Sequence, residues 1–528
     1  MTADRPDATA AEPSMVATLD PASLVPGALG AGVLRGRPVS VLGFARSGIA
    51  LARFLADAGA IVTVYDARPA GELAGAVAAL EGRRARLLLG PEVDPNQALE
   101  GASLVATSPS INPDYPTTEP RLRGALAELV ARRAAGDRAA PAVISEVDLF
   151  LRLCPSPTIG ITGTKGKTTT SALAHALLAT DPDHRAVLGG NIGVPLVERL
   201  PELTAQHRVV LELSELQLPT LARGTTVAAY TNVTADHLDR HGSLDAYRAV
   251  KRRLAELVDP AGALVLNADD RIVAGYDAAT TARVVRYRQG ELPPSGLGVA
   301  HGWIVADAVA PLDGVGSASG ASAGTAASAG GRIMPVAELG VPGAHNVSNA
   351  LAATAVALVF GIAPESIRRA AGAFAGVEHR LERVAEVDGV RFVNDSQGTQ
   401  PDAVIAALRA FEPPIVLIAG GRDKGVDLAE LAQVVGERAI AAVLIGESGP
   451  ALERLFRAAG LATTERAATL EDAVEAADTL ARGARRTTGT TATVLLSPAA
   501  ASFDMFADYE ARGRAFKAAV ARLAGERG

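Results

Sequence analysis

The chain alternates short runs of β-branched residues with longer amphipathic stretches rich in Ala and Leu. The first unit predicts a strand at 39–43, a glycine-containing turn, a helix at 49–58 and a strand at 61–65 that ends at Asp66. Such alternation is typical of parallel sheets whose faces are covered by helices. We therefore expect an α/β protein.

The same alternation recurs in two later parts of the chain. A strand at 158–162 leads into a helix from Lys167, and strands at 391–393, 414–419, 442–445 and 493–496 form a third set. Three α/β layers in series follow from this pattern. The predicted regions are a disordered, Ala/Pro-rich tail at 1–36, a Rossmann-like domain at 37–152, a central domain with a parallel sheet at 153–376, whose glycine-containing loop is of the P-loop type, a flexible Gly/Ala/Ser insertion inside it at 311–331, and a C-terminal Rossmann-like domain at 377–528.

Composition excludes several classes of protein. The 528 residues carry a net charge of −7, which argues against broad binding to nucleic acid or anionic lipid. One cysteine, Cys154, excludes an intrachain disulfide. The longest apolar stretch, 350–362, is shorter than the ~20 residues that span a bilayer, and 1–30 lacks the pattern of a signal peptide. We expect a soluble, cytoplasmic monomer without membrane insertion.

The segment GITGTKGKTT at 160–169 follows a strand and opens a helix. Backbone N–H groups in such a loop, together with the positive helix end, can hold phosphates. Lys167 would reach the terminal phosphates and Thr168 would contact Mg²⁺. Because Ile161 stands where the common phosphate-binding pattern has Gly, the loop is a shorter variant. The alternative interpretation is a glycine-rich turn with an exposed lysine.

Polar residues after the next strands point to the same edge of a sheet. Glu212 lies at the end of an apolar strand, where a buried carboxylate requires a partner or a metal. The segment 231–241 places several ionisable side chains after the apolar run 227–230. Ligands bind at such positions in α/β sheets. A surface Glu and structural histidines are the competing interpretations.

The segment GFARSG at 43–48, with Asp66 at the end of the next strand, is close to a dinucleotide-binding fingerprint. Ala45 replaces its middle Gly, so a simple packing turn remains an alternative. Three polar loops, 394–399, 420–425 and 497–504, each follow an apolar strand near the C-terminus. Together they predict a pocket at one sheet edge, although each alone could be a turn.

Eight motifs in sequence order carry a resemblance to a known family: TGTKGKTT, LELSELQL, TNVTADHLDRHGSLDAYRAVK, GAHNVSNALAA, EHR at 378–380, NDSQGT, GGRDKG and SPAAASFDMFADYEARG. In these motifs the chain resembles the Mur ligases over roughly residues 38–520. The last motif resembles the members that use D-glutamate. The resemblance implies that ATP phosphorylates the carboxylate of UDP-N-acetylmuramoyl-L-alanine, and that D-glutamate attacks the acyl phosphate, in the synthesis of peptidoglycan precursors.

The resemblance also assigns roles to residues. It implies a carbamate on Lys251, formed from CO₂, whose oxygens would suit a hard divalent ion. The implied catalytic residues are Lys167, Glu212, His237 and Lys251, and the Mg²⁺ ligands are Thr168, Glu212, His237 and the Lys251 carbamate. ATP would contact Gly163, Thr164, Lys165, Gly166, Lys167, Thr168, Thr169, Asn346, Asn349, Arg380 and Asp395. The substrates would contact Ser47, Asp66 and Arg68 at the UDP end, Asn191, and Thr399, Lys424, Ser502, Phe503 and Tyr509 around D-glutamate.

Four positions depart from the family pattern. Gln397 replaces a usual Lys, Glu215 and Leu216 replace Ser-Phe, and Lys165 replaces Asn. Gln397 leaves the amino-acid preference open, so a sister ligase using another amino acid or a folate-like acceptor is one alternative. A non-catalytic ATP-binding regulator on the same scaffold is another. The first glycine fingerprint alone would favour a nicotinamide oxidoreductase.

Overall fold

A computed structural model describes residues 17–234, 242–314, 331–341, 343–422 and 427–527, apart from the side chain of Asp402. The chain divides into two compact units, Met1–Phe374 and Ala375–Gly528. Among the described residues, the first unit contains two sheets and the second unit a third. Most neighbouring strands are parallel and are connected through helices, so the predicted α/β class is confirmed.

The first sheet forms because its strands are apolar on both faces, with Val41, Val64 and Leu104 fully buried. Its strands are β1 (Pro38–Leu42), β2 (Ile61–Asp66), β3 (Ala85–Leu89), β4 (Leu104–Thr107) and β5 (Ala142–Ser145). All pair in parallel in the order β3-β2-β1-β4-β5. The accompanying helices are α1 (Arg46–Asp57), α2 (Ala74–Ala78), α3 (Asn96–Leu99), α4 (Pro120–Ala134) and α5 (Glu146–Leu153).

The prediction of a disordered tail at 1–36 is wrong for residues 17–36. A short 3₁₀ helix at Pro21–Ser23 is capped by Asp20, whose carboxylate accepts from the N–H of Ala22. Leu19, Leu24 and Leu34 are at most 3% exposed and join the core of the first unit. These leucines are irregularly spaced among Pro and Gly, so no periodicity marks them in the sequence. Residues 1–16 lie outside the described residues.

The second sheet contains the glycine loop predicted at 160–169. Its strands are β6 (Thr158–Thr162), β7 (Arg185–Gly190), β8 (His207–Glu212), β9 (Val227–Tyr230), β10 (Ala263–Asn267), β11 (Arg283–Tyr287), β12 (Gly296–Ala300), β13 (Trp303–Ala306) and β14 (Gly331–Pro335). Their order is β14-β13-β12-β11-β10-β9-β6-β8-β7, with antiparallel pairs only at β12–β13 and β13–β14 among the described strands. β6 therefore lies between β9 and β8, which brings their carboxyl ends to the glycine loop.

Helices cover this sheet, and the long apolar run is a buried helix. They are α6 (Lys167–Leu178), α7 (Leu244–Leu257), α8 (Arg271–Ala274), α9 (Ala344–Val359) and α10 (Pro364–Ala373), with 3₁₀ turns at Leu196–Glu202, Leu218–Thr220, Gly275–Ala279 and Val336–Glu338. The predicted run 350–362 belongs mostly to α9, which packs on α6 and on β10. Among the described helices, none combines the length and apolarity needed to cross a bilayer. Of the predicted insertion 311–331, residues 315–330 lie outside the described residues.

The second unit contains a sheet of six strands among its described residues. They are β15 (Glu382–Val387), β16 (Val390–Asn394), β17 (Ile415–Gly420), β18 (Ala441–Ile445), β19 (Thr463–Arg466) and β20 (Ala492–Leu496), in the order β15-β16-β20-β17-β18-β19. The helices are α11 (Pro401–Arg409), α12 (Ala429–Arg438), α13 (Gly449–Ala458), α14 (Leu470–Thr488) and α15 (Tyr509–Gly525). β16, β20 and β17 are adjacent, so the three predicted polar loops follow neighbouring strands.

The leucines of the N-terminal segment provide a test of its packing. Leu24 is 1% exposed, whereas the adjacent Val25 is 45% exposed. Leu24→Ala leaves a cavity in the core, so we expect it to lower the free energy of unfolding by about 2–5 kcal/mol. Urea unfolding followed by circular dichroism measures the loss. Val25→Ala is the matched control and should change stability by less than about 0.5 kcal/mol; equal effects would contradict the packing.

Candidate active site

The loop between β6 and α6 contains two glycines that no other residue can replace without movement. Gly163 has a φ of 151°, and a Cβ there would lie 1.9 Å from the hydroxyl of Thr231. Gly166 has a φ of 84°, and its Cβ would lie 2.4 Å from the Oδ1 of Asn349. Left-handed backbone and close approach both require Gly at these positions. The loop leads directly into the N-terminus of α6, where unpaired N–H groups favour anions.

The residues that follow β9 hold this loop in place. The N–H of Thr164 donates to the carbonyl of Asn232 at 2.8 Å, and the N–H of Lys165 donates to the Asn232 side chain at 2.9 Å. The hydroxyl of Thr231 donates to the carbonyl of Lys165 at 2.6 Å. The ammonium of Lys167 contacts the carbonyls of residues 163 and 164 at 3.1 and 2.8 Å. These hydrogen bonds hold the loop against the residues that follow β9.

On the other side of β6, the end of β8 presents Glu212. This residue pairs with Ile161 in the sheet and is 2% exposed. Its Oε1 accepts a hydrogen bond of 2.8 Å from the amide of Asn191. Its Oε2 is buried and has no hydrogen-bond partner among the described residues. A carboxylate oxygen left in this state is an available ligand for a hard cation.

Lys251 of α7 reaches the same loop from the opposite direction. Its side chain is fully buried, and its Nζ donates to the carbonyl of Gly163 at 3.0 Å and contacts the hydroxyl of Thr162 at 3.4 Å. The ring of Tyr247 lies 5.4 Å from the ammonium, and its hydroxyl is 3.0 Å from that of Thr164. Lys251 therefore lies against the glycine loop rather than on a solvated face.

The two asparagines predicted for the nucleotide lie at the start of α9. Asn349 accepts a hydrogen bond of 3.3 Å from the hydroxyl of Thr170 in α6. Its amide donates to the side chain of Asn346 at 3.2 Å. This pair borders Gly166, so the structure brings both asparagines to the glycine loop. Thr168, in the first turn of α6, is 6% exposed, and Thr169 is half-buried beside it.

The first sheet has a cleft of about 230 Å³ at its carboxyl edge, lined by Gly43, Asp66, Ser110, Thr118 and other residues. Asp66 accepts from the N–H of Phe44 at 2.8 Å and pairs with the guanidinium of Arg68. Burial acts to raise the pKa of Asp66, but these hydrogen bonds outweigh it and leave the pKa below its ordinary value. Ser47 lies half-buried in the first turn of α1.

In the second unit, Asp395 lies at the end of β16. It is 4% exposed, and its carboxylate accepts from the hydroxyl of Ser497 at 2.6 Å and from the N–H of Leu381 at 3.2 Å. Burial raises the pKa of Asp395 to about 6, against the lowering effect of these two donors and of the Arg380 charge. Asp395 and Arg380 are therefore close, as their shared prediction requires.

The remaining predicted residues of this unit differ in exposure. Ser502 is 3% exposed and Phe503 is 66% exposed. Thr399 is half-buried, and Tyr509 begins α15 after the capping residue Asp508. His237 and Lys424 lie outside the described residues, so their predicted roles stay predictions.

The sequence analysis assigned no role to Arg512 or Tyr247. Arg512 is 1% exposed, and its guanidinium donates to Ser396 and to the carbonyl of Ala500, which joins two of the polar loops. Burial lowers the pKa of Arg512 to about 10. In the sequence, the only feature that could have pointed to Arg512 is its place in the motif YEARG on an otherwise amphipathic helix. For Tyr247, no feature beyond its position on a helix pointed to a role.

The raised pKa of Asp395 predicts how stability changes with pH. The ordinary pKa is near 4, so the folded state holds its proton more tightly than the unfolded state does. The stabilisation that results from this tighter proton binding is fully present below about pH 4 and is lost as pH rises through about 6. At pH 8, Asp395→Asn should therefore stabilise the protein, by about 2–3 kcal/mol at most, and reduce the slope between pH 4 and 6.

Urea unfolding at several pH values measures this effect. The control is Glu465→Gln, which changes an exposed carboxylate of the same unit and should leave the slope unaltered. A destabilising effect of Asp395→Asn at pH 8 would contradict the assignment.

Comparison with known proteins agrees with this arrangement. Residues 161–357 match the model of the Mur ligase middle domain, and residues 379–500 match that of the Mur ligase glutamate ligase domain. Proteins named UDP-N-acetylmuramoylalanine--D-glutamate ligase from Pelotomaculum thermopropionicum and Roseiflexus sp. are each 38% identical, over 92% and 91% of this chain and 98% and 97% of their own lengths. The protein of that name from Symbiobacterium thermophilum is 36% identical over 93% of this chain and 100% of its own length. The chain belongs to the Mur ligase family.

Proposed function

We propose that this protein is an ATP-dependent ligase that joins D-glutamate to UDP-N-acetylmuramoyl-L-alanine. One observation carries the proposal: the glycine loop, the buried Lys251 and a Glu212 carboxylate oxygen that has no hydrogen-bond partner among the described residues lie at one sheet edge. The relatives named for this reaction align with the chain over nearly their whole length. ATP is the energy source of this family, and we place the reaction in the cytoplasm, with the protein acting as a monomer.

The glycine loop is the proposed site for the triphosphate. Backbone N–H groups at 166–169, where α6 begins, would provide donors and positive potential for phosphate oxygens. Lys167 lies over the loop and would turn from its carbonyl partners to the terminal phosphates. Asn346 and Asn349 would contact the nucleotide from α9, and Arg380 and Asp395 would contact it from the second unit.

The proposal includes a magnesium ion beside the loop. Thr168, Glu212, His237 and the carbamate of Lys251 would hold it. The buried Oε2 of Glu212, which has no hydrogen-bond partner in the described part of the chain, supports this set. When bound, the ion supplies positive charge against the phosphate oxygens. A carbamate on Lys251 would keep one N–H on its nitrogen, so the hydrogen bond to the Gly163 carbonyl would remain. Asn191 orients the carboxylate of Glu212 through its amide.

The chemistry follows from the need to activate a carboxylate, which repels nucleophiles. The carboxylate oxygen of the alanyl substrate attacks the γ-phosphorus of ATP, which gives ADP and an acyl phosphate. The amine of D-glutamate then attacks the acyl carbon, and the tetrahedral intermediate expels phosphate while the nitrogen loses a proton. The fixed loop keeps the phosphates in one geometry for both steps, as electrostatic preorganisation requires.

The remaining predicted residues would bind the other ends of the substrates. Asp66, Ser47 and Arg68 would bind the UDP end at the first sheet, where a cleft reaches Asp66. Thr399, Lys424, Ser502 and the backbone near Phe503 and Tyr509 would bind the two carboxylates of D-glutamate. An ammonium and hydroxyl groups are suitable donors for that purpose.

The direct test is formation of ADP by the purified protein. With ATP, Mg²⁺, UDP-N-acetylmuramoyl-L-alanine and D-glutamate, we expect ADP, phosphate and the new amide to form in equal amounts. L-glutamate, L-alanine and meso-diaminopimelate, assayed in parallel, should give no amide. A coupled ADP assay with mass spectrometry of the product measures both, and an amide with another of these amino acids would replace the proposal by a sister ligase.

Lys251 is the sharpest single residue to change. Lys251→Ala removes the proposed carbamate and should abolish turnover, with partial recovery on adding short carboxylic acids that supply the missing oxygens. The neighbouring Arg252, whose side chain is 53% exposed, offers the control Arg252→Ala, which should keep nearly full activity. Rates are measured with the same ADP assay. Wild-type turnover by Lys251→Ala would overturn the carbamate assignment.

A further inference from the structure

Gln397 has a feature that the proposed site does not use. It lies in the loop after β16, between Asp395 and Thr399. The side chain as a whole is half-buried, but its carbonyl oxygen, Oε1, is buried and has no hydrogen-bond partner among the described residues. A buried acceptor without a donor is rare in folded proteins, because it loses its hydrogen bonds to water and gains none.

Hydrogen bonds hold the backbone of the loop around Gln397. The N–H of Gln397 donates to the carbonyl of His379 at 2.9 Å, and its own carbonyl accepts from Thr399 at 2.8 Å. The carbonyl of Gly398 accepts from the N–H of Ala499 in the neighbouring loop at 2.9 Å. A Cβ on Gly398 would lie 2.3 Å from the carboxylate of Asp395, so this turn has no room for other backbone paths.

Arg512 of α15 also holds this loop. Its Nη2 donates to the carbonyl of Ser396 at 2.9 Å, and its Nε to the hydroxyl of Ser396 at 3.0 Å. That hydroxyl donates in turn to the carbonyl of Tyr509 at 2.8 Å. The residue before Gln397 therefore makes three hydrogen bonds at its side chain and carbonyl. These hydrogen bonds fix the backbone from which the Gln397 side chain extends.

We propose that the Gln397 Oε1 accepts a hydrogen bond from the amino group of the incoming amino acid and so selects for an amine at that position. This inference rests on the proposed function, and it names the part of the substrate that the predicted carboxylate-binding residues do not contact. An acceptor oxygen requires a donor. Carboxylates and phosphates offer none at neutral pH, whereas the amine offers N–H groups. A hydrogen bond from one N–H of the amine to Oε1 would restrict the directions in which the lone pair of the amine nitrogen can point.

The test compares D-glutamate with glutarate, which has both carboxylates but no amine. Gln397→Met keeps the length of the side chain and removes the acceptor. We expect this variant to raise the KM for D-glutamate about tenfold or more, because a hydrogen bond to a charged or strongly polar group is lost. The inhibition constant of glutarate, measured as a competitor of D-glutamate, should change less than twofold. The KM values for ATP and for the UDP substrate should stay unchanged.

Thermal unfolding of the free protein gives an independent readout. Because Oε1 has no hydrogen-bond partner among the described residues, Gln397→Met removes an unsatisfied polar atom and should leave the Tm equal or higher. The matched control is Gln400→Met, an exposed glutamine three residues later, which should alter none of these constants.

Equal weakening of D-glutamate and glutarate binding by Gln397→Met would overturn the inference, because it would mean a change of loop shape. A raised KM for ATP or the UDP substrate would also overturn it, because the donor to Oε1 would then be a different group. An unchanged KM for D-glutamate would overturn it as well. Absence of D-glutamate-dependent ADP formation in the wild-type protein would instead refute the proposed function, before any variant is compared.

Discussion

The close approach of two glycines to their neighbours governs the whole candidate site. Gly163 and Gly166 leave no space for a Cβ against Thr231 and Asn349. The loop packs directly against residues that follow β9 and against α9, which come from distant parts of the chain. Hydrogen bonds to Asn232 and Thr231 hold the loop in this position, so the proposed binding of phosphate would require little further ordering of the loop.

Polar groups buried at the same edge give the site its chemical character. Glu212 is 2% exposed and one of its carboxylate oxygens has no hydrogen-bond partner among the described residues, while Lys251 is fully buried against the loop. Burying polar groups without partners works against stability, and perturbed buried groups cluster at functional sites. The second unit also buries polar groups: Asp395 and Arg512 have hydrogen-bond partners, whereas the side-chain oxygen of Gln397 has none in the part of the chain that the structure describes. In both units these groups lie at the carboxyl ends of parallel strands or contact the loops that follow them.

Local sequence patterns predicted those parts of the fold that depend on neighbours in the chain. The strand at 158–162 and the helix start at Lys167 were correct to the residue, because apolar runs and a glycine loop mark them directly. The tail prediction failed for 17–36 because Leu24 and Leu34 are stabilised by contacts with distant residues. The interaction of Asn349 with Thr170, 179 positions apart, left no mark in either local segment.

The residues of the candidate site likewise divide into those that local sequence predicts and those that it does not. Lys167 and Glu212 followed from chemistry and strand position, whereas Lys251 was assigned only through the family resemblance, since a basic helix normally faces solvent. Arg512 gained a role only when the structure showed which two loops it connects. A residue that acts by joining separate loops has no local pattern, because its partners are defined by the folded topology.

The proposed binding of a triphosphate depends on the glycines that let the loop pack so closely against its neighbours. Calorimetric titration of Mg·ATP into wild-type protein, Gly163→Ala and Gly75→Ala measures this dependence. Gly75 lies in α2 with open space around it. We expect Gly163→Ala to weaken ATP binding at least tenfold while circular dichroism shows a folded protein, and we expect Gly75→Ala to bind as wild type does. Unchanged affinity in a folded Gly163→Ala would contradict this dependence.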